Sequence, residues 1–119
     1  MRVLITGDRN WSDLQKVIDA LADLLSGSIV VHGAAPGADT IAATVADMMG
    51  LEVVPFPAEW TKYGHPAGPI RNRQMLKEGG PFDLIIVFHS DLSKSKGTKD
   101  MVNICIAAGY TSDRFRYVR

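Results

Sequence analysis

Residues 84–88 read Leu-Ile-Ile-Val-Phe, an uninterrupted apolar run between Pro81 and a polar stretch at 89–96. A strand without a polar position has no face to turn toward water. The run therefore predicts the central strand of a sheet that is covered on both faces. Such strands belong to parallel sheets, in which helices connect one strand to the next. This stretch indicates an α/β fold.

Outward from this run, short β-branched segments alternate with longer helical patterns. Further strands are predicted at 3–6, 29–32, 51–56 and 115–118. Helices are predicted from the N-cap Ser12 to Leu25 and at 40–49, 70–77 and 97–108, with a long loop at 57–69. Right-handed crossovers then predict a three-layer Rossmann-like fold, an open, mostly parallel sheet of about five strands with helices on both faces.

Composition narrows the class of protein. The 119 residues are 46% hydrophobic, enough for one domain over 1–119 to bury a core without cross-links. The single Cys105, and the absence of a signal peptide or a long apolar run, predict a cytoplasmic protein with no membrane segment. Equal numbers of acidic and basic residues, 13 each, disfavour nucleic-acid binding. The histidines lack metal-ligand spacing, so neither a metal nor a cofactor is predicted.

In an open parallel sheet, ligands bind beyond the carboxyl ends of the strands. The first loop there contains Gly7 and Arg9, whose amides and guanidinium suit phosphate or carboxylate, although G-x-R is also an ordinary βα turn. The second loop ends at Asp39, which either caps the next helix or accepts hydrogen bonds from a ribose or a neighbouring loop. Small residues let a ligand approach this loop's backbone. They are Gly33, Ala34 and Gly37.

The third loop and the helix after it carry aromatic and basic residues. Trp60 either stacks on a base or anchors the loop by packing. Arg71 and Arg73 flank Asn72 at a predicted helix N-terminus, where an anion is the expected occupant. Since residues two apart do not share a helix face, only one arginine is expected to point into the site, and we choose Arg73.

The fourth loop leads into the last predicted helix. Ser95, Lys96, Gly97 and Thr98 offer hydroxyls, amides and a cation to a phosphate. The G-x-x-x-x-G-K-[ST] spacing of a P-loop is absent, so Walker-type hydrolysis has no support. Asp100 is predicted in the first helical turn, where it either compensates the helix dipole or acts on a ribosyl group.

Five motifs in this order extend along nearly the whole chain. They are Gly7-Asp8-Arg9-x-Trp11, His32-Gly33-Ala34-Ala35-Pro36-Gly37-Ala38-Asp39, Phe56-Pro57-Ala58-Glu59-Trp60, Gly68-Pro69-Ile70-Arg71-Asn72-Arg73-Gln74-Met75 and Ser95-Lys96-Gly97-Thr98-Lys99-Asp100. Together they resemble the SLOG superfamily and, within it, the small YspA, cpYpsA-related branch of bacteria and phages. The resemblance implies a Rossmann-like, homo-oligomeric protein that binds nucleotides or nucleotide-derived ligands.

The superfamily also includes phosphoribohydrolases of the LOG type, which cleave an N-glycosidic bond. Asp100 stands at the acidic position of their P-G-G-x-G-T-x-E motif, and Arg73 is similar to their upstream arginine. Ser-Lys pairs replace the motif's paired glycines, and aspartate is one methylene shorter than glutamate. A displacement of about 1 Å at a catalytic group costs about a hundredfold in rate, so hydrolysis does not follow from binding.

Three functions remain as hypotheses. The first is binding of a nucleoside phosphate or ADP-ribose-like ligand, with phosphate on Gly97, Arg9 and Arg73, ribose at Asp39 and the base near Trp60. The second is hydrolysis of a nucleoside monophosphate to free base by Arg73 and Asp100. The third is a single-stranded nucleic-acid module using the lysines at 94, 96 and 99, which the zero net charge disfavours.

Overall fold

The computed structural model describes all 119 residues, Met1–Arg119. Its five strands form one sheet in which every neighbouring pair is parallel. The strands are β1 (Arg2–Gly7), β2 (Ile29–His32), β3 (Glu52–Pro55), β4 (Leu84–Phe88) and β5 (Phe115–Val118). They lie in the order β3-β2-β1-β4-β5. The predicted three-layer α/β fold is confirmed.

Five α-helices connect the strands. They are α1 (Leu14–Leu21), α2 (Ala38–Met48), α3 (Trp60–Tyr63), α4 (Ala67–Gln74) and α5 (Lys96–Ala107). Helices α1 and α2 pack on one face of the sheet, where they cover Val3 and Ile5. Helix α5 and the π-helical turn Met75–Gly79 that continues α4 pack on the other face and cover Leu4. Side chains alternate between the faces of a strand, so β1 contributes to both cores.

The expectation that residues 84–88 form the central strand is wrong in one respect. β1 is the middle strand, and β4 lies between β1 and β5. Ile85, Ile86, Val87 and Phe88 are nonetheless fully buried. Helical layers cover any interior strand on both faces, so uniform apolarity marks an interior strand without identifying the middle one.

The strand order locates the point where the chain changes direction across the sheet. From β1 the chain continues to β2 and β3 on one side, and then crosses to β4 on the other side of β1. The switch point therefore lies between the carboxyl ends of β1 and β4, where Gly7 is in register with Phe88. In open α/β sheets, ligands bind in the crevice at such a point.

All four predicted helices begin one to three residues away from the predicted position. Helix α2 begins at Ala38 rather than residue 40, and α5 begins at Lys96 rather than residue 97. The N-cap of α1 is Asp13 rather than Ser12, because its carboxylate accepts a hydrogen bond from the Lys16 amide at 3.1 Å. This helix ends at Leu21, so Leu24 and Leu25 lie outside it. Helix α4 begins at Ala67 rather than residue 70, and the predicted loop at 57–69 also contains α3. Pro69 fits inside α4 because a first-turn residue needs no amide hydrogen.

The loops after β1 and β2 pack backbone to backbone at Gly37. This residue has φ +82°, and a Cβ atom there would overlap the carbonyl oxygens of Asp8 and Arg9. The amide of Ala38 donates to the Asp8 carbonyl oxygen at 3.1 Å. Glycine at 37 is therefore required both by backbone conformation and by the close approach of the two loops.

We expect Gly37→Ala to destabilise the protein more than Gly50→Ala, a control position with φ +77° where an added Cβ atom would have no neighbour within 4 Å. Both variants incur the cost of positive φ, about 1–2 kcal/mol, and only Gly37→Ala adds overlap, about 1–3 kcal/mol more. Urea unfolding measures both. Equal losses would contradict the close packing of the two loops.

Candidate functional site

The loops after the first four strands lie at the carboxyl edge of the sheet, because all the strands are parallel. Direct hydrogen bonds join them. Ser90, after β4, donates to the Asp8 carboxylate after β1. Arg71 of α4 donates to the Gly33 carbonyl oxygen after β2, and Asn72 donates to Asp100 of α5. These bonds connect the loops to one another and bring three of the predicted site residues, Gly33, Arg71 and Asp100, into one arrangement.

Asp8 fastens the loops on the two sides of the switch point. Its Oδ2 atom accepts hydrogen bonds from the Ser90 amide at 2.8 Å and from the Ser90 hydroxyl at 3.1 Å. Its Oδ1 atom is buried without a hydrogen-bond partner. Sequence reasoning treats Asp8 only as part of a motif and misses this role. Its position directly after the last residue of β1 was the available signal.

Asp39 holds the second loop together. It is 5% exposed, and its Oδ2 atom accepts hydrogen bonds from the amides of Gly33 at 3.0 Å and Ala35 at 3.4 Å. It does not cap α2, whose N-cap is Gly37. Burial raises the pKa of Asp39 to about 6, against the opposing effects of the Ala35 amide and the Arg71 charge. A ribose contact by this carboxylate stays a prediction.

Ala34 extends the same loop toward solvent in a rare conformation. Its φ is +55°, and its amide donates to Nδ1 of His32 at 2.9 Å. Accepting this bond requires an unprotonated Nδ1 atom. Burial lowers the pKa of His32, and the nearby Arg71 charge lowers it further. The histidine is thereby kept neutral as a structural acceptor of the loop.

The prediction that Arg71 and Arg73 lie at a helix N-terminus is wrong. Both residues lie in the last turn of α4. The prediction failed because α4 begins three residues earlier, before Pro69. The helix dipole therefore does not favour an anion beside these arginines. The two side chains contact different partners, as expected for residues two apart on a helix.

Arg71 cross-links three segments of the chain. Its guanidinium donates to the carbonyl oxygens of Gly33 and Phe56 and, through Nε at 2.9 Å, to Oδ1 of Asn72. A Cβ atom at residue 33 would lie 2.6 Å from this guanidinium, so a side chain there would displace the end of Arg71 from these hydrogen bonds. Burial lowers the pKa of Arg71, Asp39 raises it, and the neighbouring charge of Arg9 lowers it. The Arg9 side chain itself is exposed.

Arg73 and Asp100 are neighbours. The Arg73 guanidinium donates to the Pro69 carbonyl oxygen at 3.0 Å and to Asp100 Oδ2 at 3.5 Å. Asn72, which is 3% exposed, donates to the same oxygen at 2.9 Å. Asp100 is the fifth residue of α5 and lies beyond the first turn, because the helix begins at Lys96. The alternative prediction, that Asp100 compensates the helix dipole from the first turn, is therefore wrong.

The start of α5 presents amide groups without protein acceptors. Ser95 is the N-cap, but its hydroxyl donates to the Thr98 hydroxyl at 2.8 Å instead of accepting from a backbone amide. No hydrogen bond joins the amides of Lys96, Gly97 or Thr98 to another protein group. The Thr98 side chain is buried, whereas a Cβ atom at Gly97 would have no neighbour within 4 Å.

Of the remaining predicted site residues, Gly7 is packed against other protein atoms, whereas Trp60 is exposed. A Cβ atom at Gly7 would lie 2.6 Å from Cβ of Ala38, so glycine here lets α2 approach β1. Trp60, the first residue of α3, is 52% exposed, and its ring lies over Gly68. No hydrogen bond links the Trp60 side chain to the cluster around Asp100.

Two surface grooves, of about 660 and 480 Å³, lie away from the carboxyl edge, beside Pro81 and Tyr110 and beside Arg116 and β5. At the carboxyl edge, the exposed groups that a ligand could contact include Arg9, Arg73 and Lys96. None of the helices combines the length and apolarity needed to cross a membrane.

Asp39 should give the protein a pH dependence that asparagine removes. Because its pKa is about 6 in the folded state against 3.8 for an ordinary aspartate, folding takes up a proton between these values. Stability then falls by about 3 kcal/mol as the pH rises through this window. Asparagine at position 39 cannot take up this proton. The difference in unfolding free energy, Asp39→Asn minus wild type, should therefore rise by about 3 kcal/mol as the pH rises through the same window.

Urea titrations between pH 4 and pH 7 measure the difference. His32 has a lowered pKa and so contributes the opposite slope, but it is present in both proteins and cancels from the comparison. A difference that stays flat over the whole range would refute the effect of burial on Asp39.

Comparison with known proteins agrees with the resemblance seen in the motifs. The signature of the YspA, cpYpsA-related SLOG family matches residues 1–63. A protein named Gene 61 protein, from Mycobacterium phage D29, is 42% identical over 117 residues, which covers 91% of this chain and 90% of the phage protein. The second match extends the similarity past the fourth strand, to the motifs around Arg73 and Asp100. The chain belongs to the YspA, cpYpsA-related SLOG family.

Proposed function

We propose that the protein binds a nucleotide-derived ligand, a nucleoside phosphate or an ADP-ribose-like molecule, at the carboxyl edge of its sheet. Membership of the SLOG family suggests a nucleotide-ligand-binding domain. The observation that carries the proposal is the start of α5, where three backbone amides have no protein acceptor and Gly97 faces open space.

The first turn of α5 suits a phosphate for two physical reasons. Its free amides supply hydrogen bonds, and the positive end of the helix dipole favours an anion. In most helices an N-cap side chain accepts from these amides, but Ser95 is bonded to the Thr98 hydroxyl instead. The missing side chain at Gly97 leaves room for phosphate oxygens to approach the backbone.

Exposed cations add to the attraction around this helix start. Arg73 keeps 58% of its side chain exposed beside Asp100, and Arg9 is exposed on the opposite side of the switch point. Lys96 lies on the first turn itself. We assign Arg73 and Lys96 to the phosphate nearest α5, and Arg9 to the part of the ligand that crosses toward the second loop.

The rest of the ligand would extend along the loops. Ala34 exposes its backbone at the tip of the second loop, whose shape the buried Asp39 maintains. A ribose hydroxyl can approach this backbone because Ala34 is exposed and its own side chain is only a methyl group. Trp60, half exposed on α3, offers a face on which a base can stack.

We expect Gly97→Asp to weaken nucleotide binding without unfolding the protein. The carboxylate would compete with phosphate for the free amides, and its negative charge would lower affinity at least about tenfold, or about 1.4 kcal/mol. No atom lies within 4 Å of an added Cβ atom, and an acidic residue in the first turn stabilises a helix, so the melting temperature should not fall.

Asn103→Asp is the matched control, since it adds the same charge to an exposed position later in the same helix. Isothermal titration with a panel of nucleoside mono- and diphosphates and ADP-ribose measures the affinities. Wild-type protein that binds none of them below millimolar concentration would refute the proposal. Equal losses in the two variants would show that the start of α5 is not the phosphate site.

A second function, hydrolysis of the N-glycosidic bond of a nucleoside monophosphate, is favoured by the contact between Arg73 and Asp100. Water would add to C1′ of the ribose as the bond to the base breaks, and the proton lost by water would balance the one gained by the base. Asp100 would stabilise the positive charge that develops on the ribose or orient the water, while Arg73 would hold the phosphate.

If this activity exists, Asp100→Asn should lower the release of free base about a hundredfold or more, because the amide carries no negative charge. Asp47→Asn, an exposed position on α2, is the matched control and should leave the rate unchanged. Chromatography of base released from nucleoside monophosphates measures the rate. Release that persists unchanged in Asp100→Asn would exclude the role assigned to Asp100.

A further inference from the structure

Asn72 connects the arginine that cross-links the loops with the acid beside α5. It is 3% exposed, and its amide contacts three groups from different parts of the chain. Oδ1 accepts from Nε of Arg71 at 2.9 Å, and Nδ2 donates to Asp100 Oδ2 at 2.9 Å and to the Gly97 carbonyl oxygen at 3.3 Å. Every polar atom of this buried side chain is therefore used.

The surrounding groups define the orientation of the amide. The guanidinium of Arg71 can only donate, whereas the Asp100 carboxylate and the Gly97 carbonyl oxygen can only accept. Turning the amide by 180° would bring like groups together at all three contacts. Aspartate at position 72 could still accept from Arg71, but it would place a second negative charge against Asp100 and remove the side-chain donor to the Gly97 oxygen.

These contacts determine which part of Asp100 is available. Oδ2 is bound by Asn72, whereas no protein group donates to Oδ1. The bond from Arg73 to Oδ2 is longer, 3.5 Å, and comes from a mostly exposed side chain, so it restrains the carboxylate less than the buried amide does. Because the same amide binds the Gly97 carbonyl oxygen, it also fixes the carboxylate relative to the first turn of α5.

We propose that Asn72 is a positioning residue, which holds Asp100 Oδ2 so that Oδ1 faces the ligand. The inference rests on the proposed function for the use of Oδ1, which would accept a hydroxyl of the ribose or a water molecule beside it. Asn72 would not touch the ligand. Its effect on binding would pass through the orientation of the Asp100 carboxylate.

A double-mutant cycle on binding of adenosine 5′-monophosphate tests this coupling. The four proteins are the wild type, Asn72→Ser, Asp100→Ala and the double variant, and thermal unfolding shows that each is folded at the titration temperature. We expect Asn72→Ser to lower affinity about tenfold with Asp100 present and less than about twofold with Ala at 100. Asn103→Ser, an exposed substitution of the same kind, should have no effect in either background. Equal losses from Asn72→Ser in the two backgrounds would overturn the proposal.

A second measurement needs no ligand. The side-chain amide protons of Asn72 should exchange slowly with solvent, and their NMR resonances should shift in Asp100→Ala but not in Asp47→Ala. Resonances that do not respond to Asp100→Ala would overturn the positioning role. If the resonances respond but the monophosphate does not bind to wild-type protein, Asn72 still positions Asp100, and it is the proposed function that loses support. If the monophosphate binds with equal losses in both backgrounds, the proposed function stands and the positioning role fails.

Discussion

The arrangement at the carboxyl edge depends on the hydrogen bonds that the guanidinium of Arg71 donates. Parallel strands bring their loops to one edge, but nothing in a sheet determines the conformation of those loops. Arg71 supplies that constraint by donating to carbonyl oxygens after β2 and β3 and to Asn72, through which it reaches α5. A planar group with five donors can satisfy several acceptors at once, which the single ammonium of lysine cannot do in the same plane.

Burying this cation has consequences for the groups around it. The Asp39 carboxylate offsets the charge of Arg71, yet its own burial favours the protonated form. His32 is kept neutral beside the same guanidinium and serves as an acceptor for the Ala34 amide. Arg71, Asp39 and His32 thus hold the backbone of the loop after β2 in place. The hydrogen bonds of these side chains are made within the protein. The exposed cations at this edge, which include Arg9, Arg73 and Lys96, are the ones that an anion from solvent can reach.

Local sequence patterns predicted the fold well but the contacts of the site poorly. The strands at 29–32, 84–88 and 115–118 have the predicted bounds, because β-branched runs bounded by breakers depend little on the rest of the chain. The first turn of α4 was missed because proline is a breaker in general but is allowed at a helix start. The roles of Asp8 and Asn72 depend on partners 82 and 28 residues away, and no periodicity or spacing reports such contacts.

The four glycines predicted to approach a ligand can be separated by what occupies the space beside them. Gly7, Gly33 and Gly37 each lie against protein atoms that a Cβ would overlap, so the fold itself accounts for their lack of a side chain. Gly97 has no such neighbour and lies in the first turn of α5. Another residue at this position would lower the entropy of the unfolded chain and so stabilise the protein. Packing within the chain does not explain this glycine. The open space above free amides is what a bound anion requires, which is why the start of α5 carries more weight as a binding site than the glycine loops after β1 and β2.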